Sequence, residues 1–365
     1  MSINIIMLGD IAFTGIIGEQ PDRNRQRYEE VVPALISADL VFANLEVPVK
    51  ADDSRNEYKT FIHSSLPGPT RDLLKMLNIG CVSLANNHAF DCKMPGLEAT
   101  IDILDELGIF HTGAGWLPEH IRPVIINNND CTIAFLAYVE KNTNPGAENF
   151  PELLINYFDM ERVISDIKSV RNLVDRIIVS LHWGRDYSNF YTKNQQDLAR
   201  QMIDAGADII MGHHPHTLQP YEIFEGKLIF YSLGQLCYGD TLWEGNLRAL
   251  KKKTKSGMMA KITMDKNCLR HSLIPTLEKE GNYLSVPVLD LEKKINNLIL
   301  INRKVHTNKS IEFIVRFKEI VLDRFYDYFF GYYRNFPSQL FGLFIHFRKF
   351  QYLLRDFKNY KKNKT

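Results

Sequence analysis

Three histidines lie within four positions at His213, His214 and His216, directly after the apolar run Ile209-Ile210-Met211. An apolar run that ends in glycine and polar residues is typical of a buried parallel strand with a site at its C-terminal end. On an extended chain His214 and His216 would face the same side. Because imidazole is a common ligand of transition metals, the pattern predicts a metal site. The alternative is a group of core or surface histidines that only titrate.

Polar residues follow six short apolar runs in all, and each run has the composition of a buried strand. The runs are residues 5–8 before Gly9-Asp10, 40–43 before Asn44-Leu45-Glu46, 81–85 before Asn86-Asn87-His88, 177–181 before His182-Trp183-Gly184, 209–211 before the histidines, and 228–231 before Ser232-Leu233-Gly234. Helical periodicity separates several of them, at residues 70–77, 96–107 and 195–205. The alternation predicts an α/β domain with largely parallel strands, and residues 121–139 are expected to form an antiparallel hairpin.

The strand ends together offer two carboxylates, one amide oxygen and four imidazoles. They are Asp10, Glu46, Asn87, His88, His182, His214 and His216. This donor set suits Mn²⁺, Zn²⁺ or Fe²⁺, and two such ions roughly 3.5–4 Å apart can clamp a phosphoryl or related oxyanion. We place His88 outside the metal ligands, as the group that protonates a leaving group, and His213 as a supporting residue.

Each of these residues also has a plainer explanation. Asp10 could cap a helix or turn, Asn86 and Asn87 could form a turn, and His182 could pack on Trp183 without any metal. Those explanations would have to hold independently at six strand ends. We therefore favour one shared site.

Taken together and in order, the motifs resemble the CapA family of capsule biosynthesis proteins. That family is associated with poly-γ-glutamate capsule synthesis and is similar to calcineurin-like metallophosphoesterases. The motifs are Gly9-Asp10, Ala43-Asn44-Leu45-Glu46, Ser83-Leu84-Ala85-Asn86-Asn87-His88 with Asp91, Ser180-Leu181-His182-Trp183-Gly184, Gly212-His213-His214-Pro215-His216 and Tyr231-Ser232-Leu233-Gly234. They cover the chain from about residue 3 to about residue 265.

The resemblance implies a four-layer α/β/β/α metallophosphoesterase-like sandwich with a centre for one or two divalent ions, Mn, Zn or Fe. It implies that Asp10 and His216 bind one ion, that Asn87, His182 and His214 bind the other, and that Glu46 bridges them. The implied catalytic pair is His88 with Asp91. The residues expected to support the centre are Asn44, Asn86, His213 and Trp183.

The chain departs from the calcineurin-like pattern at two ligand positions. Ala12 stands where a histidine usually follows the first aspartate, and Glu46 replaces the usual bridging aspartate. The loss of a ligand predicts weaker or single-metal occupancy. The CapA family shares both features, so they do not exclude this chain from it. A smaller departure is Asp186, where the family tends to have Glu after His-Trp-Gly.

Two function classes follow. The first is a metal-dependent hydrolase of surface-polymer synthesis that acts on a phosphoester or on a γ-glutamyl polymer. The second is a non-catalytic assembly or regulatory component of a polymer-synthesis complex. The expected partners are therefore a surface-polymer or phosphoester substrate and other polymer-synthesis proteins.

Composition limits the remaining possibilities. The 365 residues allow one large domain, predicted at 1–285, followed by a helical C-terminal extension at 286–365. A net charge of +1 does not favour a nucleic-acid partner. The scattered cysteines indicate a reducing compartment, and the N-terminal residues have the pattern of neither a signal peptide nor a transmembrane segment. We expect a cytoplasmic protein, or one at the cytoplasmic face of a membrane.

The C-terminal extension is rich in aromatic and basic residues. Phe341, Phe344, Phe347 and Phe350 recur at a spacing of three and place large apolar side chains on one face of a predicted helix. A basic amphipathic helix of this kind can contact an anionic membrane surface or dock on a partner. The alternative, which we favour, is that its apolar face packs on the chain's own sandwich.

Overall fold

The computed structural model describes residues 2–59, 62–128, 131–243, 246–248, 252–287, 291–307, 311–312, 314–315 and 318. The chain divides into two compact units, Met1–Leu298 and Ile299–Thr365, and each is described by itself. The strands are β1 (Ile3–Ala12), β2 (Leu40–Leu45), β3 (Ile79–Ser83), β4 (Phe110–Thr112), β5 (Ala114–Gly115), β6 (Val124–Asn128), β7 (Cys131–Val139), β8 (Leu154–Ile155), β9 (Arg176–His182), β10 (Ile209–His213), β11 (Tyr221–Phe224), β12 (Lys227–Phe230), β13 (Gln235–Tyr238), β14 (Thr241–Trp243), β15 (Asn246–Arg248), β16 (Ser256–Met264), β17 (Leu269–Glu278) and β18 (Leu284–Ser285). The α-helices are α1 (Ile16–Glu19), α2 (Asn24–Arg27), α3 (Val32–Ile36), α4 (Pro67–Met76), α5 (Lys93–Glu106), α6 (Met160–Arg171), α7 (Lys193–Asp204) and α8 (Leu291–Thr307).

Two mixed sheets form the centre of the first unit. The first has the strand order β18-β17-β16-β1-β2-β3-β4, with β13 also paired to β1, and the second has the order β11-β12-β10-β9-β7-β6. In the first sheet β1, β2, β3 and β4 are parallel, and in the second β7, β9, β10 and β12 are parallel. Strands β6 and β7 pair antiparallel, which confirms the hairpin predicted within residues 121–139.

The two sheets pack face to face between two layers of helices. Phe42 of β2 stacks on Phe135 of β7 with ring centroids 4.5 Å apart, so these strands of the two sheets are in contact. Apolar residues of α4 and α5 share a core with β1, β2 and β3, and those of α6 and α7 share a second core with β7, β9 and β10. This arrangement confirms the four-layer α/β/β/α sandwich. Strands β2 and β9 are buried along their whole length, as expected for parallel strands covered on both faces.

The predicted helices are present but begin two or three residues earlier than predicted. Helix α7 starts after Thr192, whose side chain accepts a hydrogen bond from the Gln195 amide while the Gln195 side chain accepts one from the Thr192 amide. This reciprocal capping box fixes the first turn. The predicted C-terminal residues Asn78, Gly108 and Gly206 all have positive φ, which suits the end of a helix.

The described part of the C-terminal extension contains one helix, α8. The aromatic and basic series from Phe325 onward lies outside the described residues, and the division at residue 285 stays a prediction. Over the part of the chain that the structure covers, no helix is both long enough and apolar enough to cross a membrane.

A close backbone approach joins β13 to the end of β1. The Asp10 amide donates to the Gly234 carbonyl over 3.1 Å, and a Cβ atom at Gly9 would lie 1.9 Å from that same oxygen. Only glycine leaves room for this contact, because both sides of it are backbone. Gly9 therefore fixes how the strand that carries Asp10 meets the segment after Ser232.

We expect Gly9→Ala to lower the free energy of unfolding by about 1–3 kcal/mol, because the added methyl group forces β1 and residue 234 apart. The urea midpoint measures the effect. Gly68→Ala is the matched control: a Cβ there meets nothing within 4 Å, and because Gly68 lies in helix α4 the alanine should keep or slightly raise the midpoint. Equal midpoints for the two variants would contradict the close approach.

Candidate metal centre

The histidine cluster begins at the end of β10 but does not continue as a strand. His213 is the last residue of β10, whereas His214 and His216 have φ values of 93° and 55°. The expectation that His214 and His216 alternate on an extended chain is therefore wrong. Left-handed backbone at non-glycine residues costs about 1–3 kcal/mol each and needs support from the surroundings. Part of that support is the His214 amide, which donates to Asp10 Oδ2 over 3.2 Å.

Asp10, Glu46 and His216 converge in the interior. Nδ1 of His216 lies 3.2 Å from Asp10 Oδ2, and its Nε2 lies 3.3 Å from Glu46 Oε1. One ligand atom from each of the three residues lies within 4.8 Å of the others, and all three side chains are buried. Within the described ranges no other set of three His, Cys, Asp or Glu residues meets this criterion.

Several polar atoms of this centre are buried without a hydrogen-bond partner. They are both carboxylate oxygens of Glu46, both ring nitrogens of His213, Nδ1 of His214 and Nδ1 of His216. Three of these atoms make contacts of 3.2–3.3 Å within the cluster, but those contacts do not have the geometry of hydrogen bonds. Buried polar atoms are normally paired, because an unpaired one keeps the cost of its lost hydration. A cation surrounded by these oxygens and nitrogens would compensate that cost. The donor set therefore fits a divalent ion such as Mn²⁺, Zn²⁺ or Fe²⁺.

The charges of the three residues are coupled. Burial opposes ionisation of Asp10, but contacts with His213 and His216 hold its pKa well below the usual range. Burial raises the pKa of Glu46 well above its usual value. Burial also disfavours the His216 cation, but the charges of Glu46 and Asp10 outweigh burial and raise its pKa to about 10. In the metal-free protein Asp10 is therefore ionised and His216 carries a proton at neutral pH.

A second group of predicted ligands lies beside the first. Nε2 of His182 is 2.8 Å from Asn87 Oδ1, and the rings of His182 and His214 have centroids 4.8 Å apart. Burial, reinforced by the neighbouring His214, lowers the pKa of His182 well below its usual value, so His182 is neutral. Asp186, noted in the sequence only as a departure, places Oδ1 3.5 Å from His214 Nε2.

Asn44 links the two groups. Its amide nitrogen donates to Asp10 Oδ1 over 2.8 Å and lies 3.3 Å from His182 Nδ1. Its oxygen accepts a hydrogen bond from the Asn86 side chain over 3.3 Å, and Asn86 also donates to the Leu45 carbonyl over 2.8 Å. The structure thus brings Asn44 and Asn86 into the supporting arrangement around Asp10 and His182.

His213 and Trp183 lie at the end of the second sheet. His213 is fully buried, with Nδ1 3.2 Å from Asp10 Oδ1. The indole nitrogen of Trp183 donates to the Tyr231 carbonyl over 3.3 Å, and its ring lies nearly parallel to that of Tyr231. His213 therefore contacts the centre directly, whereas Trp183 holds the strand end against the residue before Ser232.

His88 forms a close pair with Asp91. The Nδ1 of His88 lies 2.6 Å from Asp91 Oδ2, and the His88 amide donates to Asn86 Oδ1 over 3.0 Å. Burial lowers the pKa of His88. Burial opposes ionisation of Asp91, but its hydrogen bond with His88 and its contact with Lys59 hold its pKa below the usual range.

Lys59 and His63 are neighbours of this pair that the sequence did not reveal. Lys59 forms an ion pair with Asp91, and the His63 amide donates to Asp91 Oδ2 over 2.8 Å. The His63 ring meets the His88 ring edge-on with centroids 4.8 Å apart, and burial, with the nearby His88, lowers the pKa of His63 to about 3. Both residues come from a loop without periodicity or motif, so no sequence signal marked them.

Tyr238 lies beside Ala12, the position where the calcineurin-like pattern has a histidine. Tyr238, Ala12 and Val47 form a small buried apolar cluster, and the Tyr238 ring lies 5.3 Å from the His216 ring. Burial and the charge of Glu46 raise the pKa of Tyr238 well above its usual value, so its hydroxyl stays protonated. The side of the centre next to Ala12 is therefore aromatic.

Several relatives of this chain are named for capsule or polymer synthesis. It is 32% identical over 251 residues to the capsule biosynthesis protein CapA of Bacillus anthracis, covering 65% of this chain and 60% of the relative. It is 34% identical over 215 residues to the PGA biosynthesis protein CapA of Bacillus subtilis (strain 168), covering 58% of this chain and 56% of the relative. The chain thus spans 60% and 56% of the lengths of these two relatives. A protein of Mycobacterium tuberculosis named a probable polyglutamine synthesis accessory protein is 27% identical over 212 residues, covering 55% of this chain and 56% of that protein.

Solved structures with a similar chain path have low sequence identity. A putative 5′-nucleotidase from Staphylococcus aureus, in complex with α-ketoglutarate, is 13% identical with a TM-score of 0.48, covering 81% of this chain and 58% of that chain. A hypothetical protein from Thermus thermophilus is 15% identical with a TM-score of 0.47, covering 75% of this chain and 98% of that chain.

The sequence profile of the family described as bacterial capsule synthesis protein PGA_cap matches residues 4–239. That span holds every strand end that contributes to the centre, from Asp10 to His216. The match and the two Bacillus relatives confirm the resemblance drawn from the motifs: the chain belongs to the CapA family of bacterial capsule synthesis proteins.

Proposed function

We propose that this chain is a metal-dependent hydrolase of capsule or related surface-polymer biosynthesis, acting on a phosphoester or on a γ-glutamyl polymer. The observation that carries the proposal is the set of buried, unpartnered oxygen and nitrogen atoms around Asp10, Glu46 and His216. A chain that kept these residues only for packing would leave their desolvation uncompensated. Family membership supplies the context of surface-polymer synthesis.

In this proposal the two neighbouring groups hold one or two divalent ions. Asp10 and His216 would hold one ion, Asn87, His182 and His214 would hold the other, and Glu46 would contribute its carboxylate to both. When bound, a divalent ion supplies Lewis acidity to a phosphoryl or carbonyl oxygen. The neutral state of His182 and the buried lone pairs of the centre support these assignments.

His88 and Asp91 are the proposed proton-transfer pair. In this pair Asp91 accepts a hydrogen bond from Nδ1–H of His88 across the 2.6 Å contact. Nε2 is then the atom that can exchange a proton with a reacting group. Burial keeps His88 neutral near pH 7, so Nε2 would take a proton from the attacking water and deliver it to the leaving group. Asp91 orients the ring and does not itself contact the substrate.

A non-catalytic role in a polymer-synthesis complex is the second candidate. It is favoured by the apolar and aromatic surroundings of Ala12, which leave one ligand position of the calcineurin-like pattern without a donor. The Mycobacterium tuberculosis relative is named an accessory protein. In either role we propose other polymer-synthesis proteins as partners, and a location in the cytoplasm or at the cytoplasmic face of a membrane.

We expect protein purified without chelators to contain at least one equivalent of Mn, Zn or Fe, measured by inductively coupled plasma mass spectrometry. His216→Ala should lower the affinity by at least about a hundredfold, because it removes a direct ligand rather than an outer partner of one. His271→Ala is the control, since His271 packs on Tyr221 and Phe230 of the second sheet. Metal-free wild-type protein that also fails to bind added ions would refute the proposed centre.

Metal binding should release at least one proton per molecule at pH 7.5, because His216 has a pKa of about 10 in the metal-free centre and must lose its proton to bind, and the raised pKa of Glu46 can add to this release. The affinity should rise with pH by about tenfold per unit and level off near pH 10. Titration calorimetry in two buffers of different ionisation enthalpy measures the proton count. Heats that do not depend on the buffer would mean that His216 binds the ion without first losing a proton.

His88→Ala should lower the kcat for hydrolysis of bis(p-nitrophenyl) phosphate by about 10²–10⁴, because the proton-transfer group is lost. Its metal content should equal that of the wild type, since His88 lies outside the proposed ligands. The rate of release of p-nitrophenol gives the result, with His271→Ala as the control. An unchanged kcat in His88→Ala would remove His88 from the mechanism, and metal-loaded protein without turnover would favour the accessory role.

A further inference from the structure

A loop segment between β2 and α4 lies across the turn that carries Asn87, His88 and Asp91. The Asn56 amide donates to the Asp91 carbonyl over 2.8 Å, and the Asn56 side chain donates to the Pro145 carbonyl over 2.9 Å. The His63 amide donates to Asp91 Oδ2 over 2.8 Å. The segment is thus attached to the proton-transfer pair on both sides of Lys59.

Lys59 makes three contacts with this turn through one ammonium group. Its Nζ donates to the Asn87 carbonyl over 2.6 Å, forms an ion pair with Asp91 Oδ1, and lies 3.3 Å from His88 Nδ1. The Lys59 side chain is 12% exposed and that of Asp91 is 0% exposed. This ion pair is therefore largely removed from water. Loss of either partner would leave the other as an uncompensated buried charge.

The hydrogen bonds around Asp91 leave one arrangement for the His88 proton. Oδ1 is occupied by Lys59, and Oδ2 accepts the His63 amide while lying 2.6 Å from His88 Nδ1. A carboxylate paired with an ammonium group accepts hydrogen bonds and has no proton to donate, so His88 Nδ1 must be the donor. The Lys59 ammonium group cannot accept a hydrogen bond from His88 Nδ1, so Asp91 Oδ2 is the acceptor.

We propose that Lys59 is a positioning residue, whose ammonium group ties the Asp91 carboxylate to the Asn87 carbonyl and thereby fixes His88 as the Nδ1–H tautomer. The consequence for catalysis rests on the proposed function, whereas the tautomer of His88 does not. Because Asn87 is also a proposed metal ligand, the same contact sets the distance between the metal centre and the ring that transfers the proton. Lys59 itself does not touch the substrate.

The direct test is nuclear magnetic resonance of the full chain labelled with ¹⁵N-histidine, in the metal-free state. Two-bond ¹H–¹⁵N correlations report which ring nitrogen carries the proton, and the His88→Ala spectrum assigns the His88 signals. The wild type should show His88 with Nδ1 protonated. Lys59→Met should show a mixture of both tautomers, because the uncharged side chain no longer holds Asp91.

Lys93→Met is the matched control. Lys93 pairs with Glu57 of the same loop segment over 2.6 Å, so the same substitution removes a nearby cation without touching Asp91. It should leave the His88 tautomer as in the wild type. Lys59→Arg keeps the cation and should restore the Nδ1–H form. Should Lys59→Met fail to fold, Lys59→Gln gives the same comparison, because it keeps a donor for the Asn87 carbonyl and removes the charge.

Kinetics give a second result. With bis(p-nitrophenyl) phosphate, Lys59→Met should lower kcat by about tenfold to a hundredfold at nearly unchanged KM, and Lys59→Arg should recover part of the loss. An unchanged His88 tautomer in the uncharged Lys59 variants overturns the inference, whether or not the protein turns over substrate. A wild type that binds no metal and has no turnover would instead refute the proposed function, and the tautomer measurement would still decide the role of Lys59.

Discussion

Asp10 is a fully buried carboxylate. The contacts that compensate its burial also join the two sheets at the edge that carries the candidate site. From the first sheet, Asn44 at the end of β2 donates to Oδ1. From the second sheet, residues at and just after the end of β10 surround both oxygens: His213 and His216 place ring nitrogens 3.2 Å away, and the His214 amide donates to Oδ2. A charge this deep is tolerated only where such partners converge. The packing of the sheets and the geometry of the centre therefore depend on each other.

The strained backbone of the histidine cluster follows from this constraint. A continued strand after His213 would place His214 and His216 on one face and carry them away from Asp10, whereas the left-handed turns at both residues bring them back beside it. Neighbouring segments hold the turns in place. The Tyr187 amide donates to the Pro215 carbonyl over 2.9 Å, and the Thr217 hydroxyl donates to the Ser188 carbonyl over 2.6 Å. The loop after Trp183 thus supports the turn at His214 and His216 as well as carrying Asp186 to it.

The sequence predicted those parts of the molecule that repeat or share an edge. The strands, their parallel pairing and the meeting of Asp10, Asn44, Glu46 and His216 all follow from apolar runs with polar ends, because the carboxyl ends of parallel strands lie at one edge. Lys59 and His63 could not be predicted in the same way, since a loop has no period that fixes which side chains point inward. The turns at His214 and His216 were missed because their conformation is set by distant partners. Nothing in the sequence around Tyr238 indicated that its side chain would lie beside Ala12.

The centre contains two adjacent groups with opposite states of hydrogen bonding. Around Asp10, Glu46 and His216, buried oxygen and nitrogen atoms remain without a hydrogen-bond partner. Around Asp91, both carboxylate oxygens are occupied by Lys59, His63 and His88. Unsatisfied buried atoms stay costly until something binds them, whereas a satisfied network resists rearrangement and holds its members in one geometry. Asn86 and Asn87 connect the surroundings of the two groups. Asn86 donates to Asn44, which itself donates to Asp10, and accepts from the His88 amide, while Asn87 contacts His182 and Lys59. The second group therefore fixes the His88 ring whether or not a ligand completes the first.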